Sequence, residues 1–246
     1  MVQESVLGVV VDCVDMREAV AEIVRLAELG RAGEQPETRL VATVNPEFVM
    51  RARRDVVFRR VLAGAALRVP DGTGVVWALR RAGHRDAVRV AGVDLVPRLA
   101  EACARHRLSL YLLGAQPGVA AAAAARLQAR VPGLRIVGAE PGSPLPEDDL
   151  DQARAIRDAA PDLLLVAYGA PKQELWIARN RHRLGGPVAI GVGGTFDFLA
   201  GRARRAPAAW QRLHLEWGWR LVREPWRVRR MATLPQFAML VLLGRS

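Results

Sequence analysis

Five short segments carry residue types that can do chemistry, and each closes or follows an apolar run: TVNPE (43–47), PDGTG (70–74), LLGAQPG (112–118), YGAPKQE (168–174) and GVGGTFDF (191–198). Asp71 follows a proline and precedes two glycines that leave room for a substrate. Its carboxylate could act as a general base, or cap the helix beginning at residue 73. Thr43 and Asn45 offer a hydroxyl and an amide to a polar ligand, while Asn45 could equally cap a helix at Pro46. Arg89 suits a diphosphate or a nearby carboxylate. Gly114 would allow close approach of the backbone to a nucleotide. Thr195 can reach a phosphate or cap a turn, and Asp197 suits ribose hydroxyls or a structural turn.

Lys172 is the single lysine among 36 basic residues. It stands where a helix is expected to start, so free N–H groups and an ammonium would face the same point. A compact ammonium fits a phosphate oxygen or an aspartate differently from a guanidinium fork. The other reading is a solvated lysine on a first turn. Gln173 beside it can donate to a carbonyl or hydroxyl.

Strands must hold these segments at one edge. Apolar runs at 6–11, 39–44, 67–70, 108–113, 134–138, 162–167 and 187–192 predict strands, several without polar alternation, as expected where both faces are covered. Helical patterns lie between them: one from Asp15 with Glu18 as a capping-box partner, then 46–64, 73–82, 93–106, 117–130, 147–159 and 171–183. Alternating strands and helices predict an α/β fold, a Rossmann-like and mostly parallel sheet flanked by helices. In such sheets ligands bind beyond the carboxyl ends of the strands. The AAAAAA run at 120–125 fits a helix packed closely on the sheet.

Residue 202 begins a different composition. Residues 202–246 hold ten arginines against two glutamates, and Trp210, Trp217, Trp219 and Trp226 are interleaved with them. We therefore divide the chain into a core at 1–201 and a basic, helical appendage at 202–246. The net charge of +11 is concentrated there, which predicts an anionic partner. The apolar run near Phe237–Leu243 is too short to span a bilayer, so the appendage is expected to lie on a membrane surface.

Several function classes are disfavoured. A full GxGxxG and a Walker GxxxxGK[ST] are both lacking, which argues against a dinucleotide oxidoreductase and a P-loop NTPase. Scattered histidines and two unpaired-looking cysteines, Cys13 and Cys103, give no metal or redox spacing. The formal DxD at Asp149–Leu150–Asp151 reads as an acidic first helical turn rather than a metal site. A nucleic-acid module using the Arg/Trp tail remains an alternative, as does a soluble Rossmann-like oxidoreductase, but the near-neutral body and the lack of an RRM, KH or helix-turn-helix signature weigh against nucleic acid.

Taken together, TVNPEFVMRARRD, VPDGTGVVWALR, RVAGVDL, YLLGAQPGV, GAPKQELWIARN, GVGGTFDFLAG, RAP and EPWRVRR resemble the WecG/TagA/CpsF family of bacterial glycosyltransferases, in the family's order and over about residues 6–232. The resemblance implies inverting, metal-independent transfer of a sugar, N-acetylmannosamine or a related hexose, from a UDP-sugar to an undecaprenyl-diphosphate-linked sugar. It implies work at the inner face of the cell membrane in cell-surface polymer synthesis, with the UDP-sugar as substrate and no cofactor. It assigns the base to Asp71, supports Gln173 as a site residue, and matches Arg220, Arg227 and Arg230 to positions that stabilise the leaving diphosphate. The donor sugar, the acceptor glycan and any homo-oligomer are not legible.

Overall fold

The computed structural model describes residues 1–34, 37–203 and 233–244. The appendage residues Arg220, Arg227 and Arg230 and the four tail tryptophans lie outside them.

The first strand expectation is corrected. Residues 6–11 are not one strand: the chain turns at Leu7 and Gly8, both at positive φ, between β1 (Gln3–Val6) and β2 (Val9–Asp12). A two-residue loop with both φ positive matches the natural twist of a hairpin, and β1 and β2 pair antiparallel outside the main sheet. Buried Asp12 ties the hairpin down, accepting from the Arg68 backbone N–H at 2.7 Å and meeting the Arg68 guanidinium at 3.3 Å.

Six parallel strands form the main sheet: β3 (Arg39–Val44), β4 (Leu67–Pro70), β5 (Ser109–Gly114), β6 (Arg135–Glu140), β7 (Leu163–Ala167) and β8 (Val188–Gly191), in the order β4-β3-β8-β7-β5-β6. The α/β expectation is met, and the continuous apolar runs have a simple cause. Successive residues feed opposite faces. Val41, Val69, Leu112, Leu165 and Ile190 enter one core; Leu40, Ala42, Leu113, Leu164 and Ala189 enter the other.

The first core is covered by α1 (Met16–Arg31), α5 (Gly92–His106), α6 (Val119–Arg130) and α9 (Thr195–Leu199). α1 begins with the expected capping box, Asp15 and Glu18 each accepting from the other's backbone N–H at 2.8 Å. In α6 the alanine run lets Ala120, Ala123 and Ala124 approach the sheet. The second core receives α2 (Pro46–Ala52), α3 (Val56–Ala63), α4 (Thr73–Arg81), α7 (Asp149–Ala159) and α8 (Lys172–Asn180). One helix was expected over 46–64. It is two, because Asp55 accepts from the Phe58 N–H at 3.0 Å and starts α3 afresh.

The C-terminal helix Thr233–Leu242 docks on α2 and α4. Phe237 is 2 % exposed within the second core, Leu240 and Val241 pack beside it, and Gln236 accepts from Arg54 at 2.7 Å. This corrects the expectation that the whole Phe237–Leu243 run lies on a membrane: one face belongs to the core, while Met239, Leu242 and Leu243 are exposed. A boundary at 201/202 likewise does not separate this helix from the core.

Candidate active site

Neighbouring strands β3 and β8 send the chain to opposite faces. After β3 it enters α2, which packs into the second core; after β8 it enters α9, which packs into the first. That divergence opens a crevice at the carboxyl ends, the expected ligand position in such a sheet. A cleft of about 570 Å³ lies there.

The β4 end supplies Asp71. Its N–H extends the sheet to Val44 O at 2.8 Å, and Val90 N–H reaches Pro70 O at 2.8 Å. The second bond brings Arg89 alongside. Arg89 Nε donates to Asp71 O at 2.7 Å and stands 3.5 Å from Asp71 Oδ1. Asp71 does not cap α4; the N-cap is Gly72, without a side-chain bond. The glycines of PDGTG also do not leave open space. A Cβ on Gly72 would lie 2.5 Å from Pro46 Cδ, and one on Gly74 would lie 2.8 Å from Pro46 Cγ. Pro46 fills that room and locks the two loops together.

The β3 end supplies Thr43 and Asn45. Thr43 Oγ1 donates to Gly191 O at 3.1 Å, bridging to β8. Asn45 Oδ1 accepts from Phe48 N at 3.1 Å, so the capping role is real. Both line the cleft, along with Glu47.

From the β8 end come Gly193, Gly194, Thr195 and Asp197. Thr195 Oγ1 donates to Val192 O at 2.7 Å. Asp197 uses its backbone carbonyl to receive the N–H groups of Arg202 and Ala203, leaving its carboxylate on the cleft wall. The N-termini of α5 and α9 open here through Ala91, Gly92, Gly194 and Thr195, and neither helix has a side-chain cap.

Gln173 lines the cleft but is 2 % exposed. Its Oε1 accepts from Gly169 N at 3.1 Å and Gly193 N at 3.0 Å, and its Nε2 donates to Glu174 Oε1 at 2.7 Å. Lys172 is exposed at the start of α8 and is not among the residues lining the cleft. Gly114 is also absent from the lining. Its φ is +112°, and a Cβ would lie 2.7 Å from Ala167 C, so its smallness lets strand β7 approach.

Cleft residues without an assigned role include two aromatic and two charged side chains. Tyr168, Phe198 and Glu47 sit inside or beside the quoted motifs but show no periodic signal. Arg202 was grouped with the appendage by composition, yet it lines the cleft. Asp149 is taken up structurally: its Oδ1 receives Arg179 Nη2 at 2.9 Å at the start of α7, and Asp151 is exposed.

The family model for the glycosyl transferase WecG/TagA/CpsF family matches residues 4–246. The chain belongs to the WecG/TagA/CpsF family. It is 36 % identical over 203 residues, 82 % of this chain and 78 % of the relative, to the N-acetylglucosaminyldiphosphoundecaprenol N-acetyl-beta-D-mannosaminyltransferase of Bacillus subtilis. The enzyme of the same name from Bacillus spizizenii is 34 % identical over 209 residues, 85 % of this chain and 80 % of the relative. Membership of WecG/TagA/CpsF makes the chain a glycosyltransferase and decides against the dehydrogenase and nucleic-acid alternatives. No helix among the described residues is long and apolar enough to cross a membrane.

Proposed function

We propose that this chain transfers a sugar, N-acetylmannosamine or a close relative, from a UDP-sugar to a polyprenyl-diphosphate-linked acceptor sugar, with inversion and without a metal ion. The observation that carries the reading is Asp71, a carboxylate on the cleft wall held by Arg89 at the mouth of β4. The names of the two Bacillus relatives support the acceptor and the donor sugar.

The Asp71 carboxylate takes the proton of the acceptor hydroxyl as that oxygen bonds to the anomeric carbon. The bond from that carbon to the diphosphate breaks on the opposite face, and the nucleotide leaves with the electron pair. Arg89 fixes the orientation of Asp71 and keeps a positive charge beside it. The N-termini of α5 and α9 suit the diphosphate, and Asp197 suits the ribose hydroxyls. Arg202, with Arg220, Arg227 and Arg230 of the appendage, would supply further positive charge to the leaving group. The basic composition of 202–246 and the exposed Met239, Leu242 and Leu243 support peripheral attachment to the inner face of the cell membrane.

The test is transfer from UDP-N-acetylmannosamine to an N-acetylglucosaminyl-diphospholipid by wild type and Asp71→Asn. Wild type should form the disaccharide with EDTA present. The variant should lose about 10²-fold or more in turnover while UDP affinity stays within about twofold of wild type. A variant within a few-fold of wild type would remove Asp71 from the mechanism, and loss of transfer on chelation would overturn the metal-free reading.

A further inference from the structure

Directly behind the cleft wall lies an acid that the transfer chemistry does not use. Glu174 is 0 % exposed and does not line the cleft. Its Oε1 accepts from Gln173 Nε2, while its Oε2 is buried without a hydrogen-bond partner. Burial raises its pKa to about 7, against the opposing bond from Gln173. An acid in such surroundings is costly, and an apolar side chain of similar volume would remove that cost.

The geometry around it is built for the pair. A Cβ on Gly191 would stand 2.4 Å from Glu174 Oε1 and 2.5 Å from Gln173 Nε2, so β8 carries its one side-chain-free residue where the pair crosses it. Gly169 and Gly193 are both at positive φ, +75° and +52°, and both aim their N–H groups at the same Gln173 oxygen. One carbonyl thus joins the loop after β7 to the loop after β8, the two walls that carry Tyr168 and Asp197 into the cleft.

An amide is nearly symmetric in shape but not in chemistry. Turned over, Gln173 would present an NH₂ group to two N–H donors, and both bonds would be lost. An acceptor at Glu174 Oε1, 2.7 Å from Nε2, favours only the observed orientation.

We infer that Glu174 is a positioning residue of the transfer site, acting through Gln173 to hold the two loop walls at their working separation. The role of the walls in donor binding rests on the proposed transferase reading; the clamp itself does not.

The experiment compares full-length Glu174→Met, which removes the acceptor, with Glu174→Gln, which keeps one. Amide hydrogen exchange at Gly169 and Gly193, read by NMR, reports the clamp whether or not the chain transfers sugar. Glu174→Met should speed exchange at both by about tenfold or more, the factor that about 1.4 kcal/mol of lost protection gives, with Leu165 and Ile190 in the strands unchanged. Glu174→Gln should stay within about threefold of wild type. In a Gln173→Leu background, adding Glu174→Met should change neither amide further. The KM for UDP-sugar should rise about tenfold in Glu174→Met and recover in Glu174→Gln, as expected when binding geometry is lost. Wild-type exchange rates in Glu174→Met would overturn the inference, and so would equal acceleration by Met and Gln. If Glu174→Met does not fold, Gln173→Leu carries the test: unchanged exchange at Gly169 and Gly193 in that variant would also overturn it. A wild-type protein that transfers no sugar from a UDP-sugar would overturn the proposed function and leave the exchange result to judge the clamp.

Discussion

Replacing Glu174 by Gln should change how stability depends on pH, and the size follows from its burial. Glu174 holds its proton up to about 7 when folded, against 4.5 for an ordinary glutamate. Between those values the folded state binds more protons than the unfolded one, so stability must fall as pH rises through that window. The loss is about 3 kcal/mol, complete above the folded pKa and absent below the unfolded one. Glu4, Glu22 and Asp55 act in the opposite sense, because bonds from His84, Arg25 and the Phe58 N–H hold their carboxyls below the usual range. Those contributions are common to both proteins and cancel in the comparison. Glutamine reproduces the neutral acid at every pH. Urea unfolding at pH 4.5 and pH 8 should therefore give a variant that gains about 3 kcal/mol on the wild type at the higher pH relative to the lower, a midpoint difference of about 1 M at a slope of about 3 kcal/mol/M. Parallel pH profiles for the two proteins would refute the argument that Glu174 is neutral in the folded core below pH 7.

Phe237→Ala should cost about 3–5 kcal/mol in chemical denaturation, because the ring fills the gap between α2 and α4. Gly114→Ala should destabilise by several kcal/mol, since it combines a strained φ with a Cβ pressed on the Ala167 backbone; a thermal midpoint within a degree of wild type would contradict it. Lys172→Arg should leave kcat/KM within about twofold of wild type, as most exposed substitutions do, and a tenfold loss would return this lysine to the site.

The sheet was legible because its strands are apolar on both faces, and a run such as LLLVA at 163–167 has few other readings. The hairpin was not, because VLGVVV hides a turn at Leu7–Gly8 within continuous apolar character. The cleft wall could be read from loop chemistry: Thr43, Asn45, Asp71, Arg89, Gln173, Thr195 and Asp197 all line it. What each glycine makes room for could not, since the neighbour comes from elsewhere in the chain: Pro46 for Gly72 and Gly74, Ala167 for Gly114, Gln173 and Glu174 for Gly191. Glu174 has the look of any acid on a first helical turn, and the bare Gly191 opposite makes room for its carboxyl. Gln173 read as a ligand donor, while its carbonyl is occupied by two backbone N–H groups.

The position of Phe237 has a consequence for biosynthesis. Its ring sits 3.4 Å from the place of a Cβ on Gly74, and Gly74 abuts Pro46, which in turn abuts Gly72 next to Asp71. Every strand of the sheet is made before residue 237 leaves the ribosome. Until then the hollow between α2 and α4 is an open apolar surface on the nascent chain, and the face that carries Asp71 is unfinished. A chain interrupted within residues 204–232 would be released with that hollow exposed, a surface that chaperones and proteases recognise, and quality control would remove it before it met substrate.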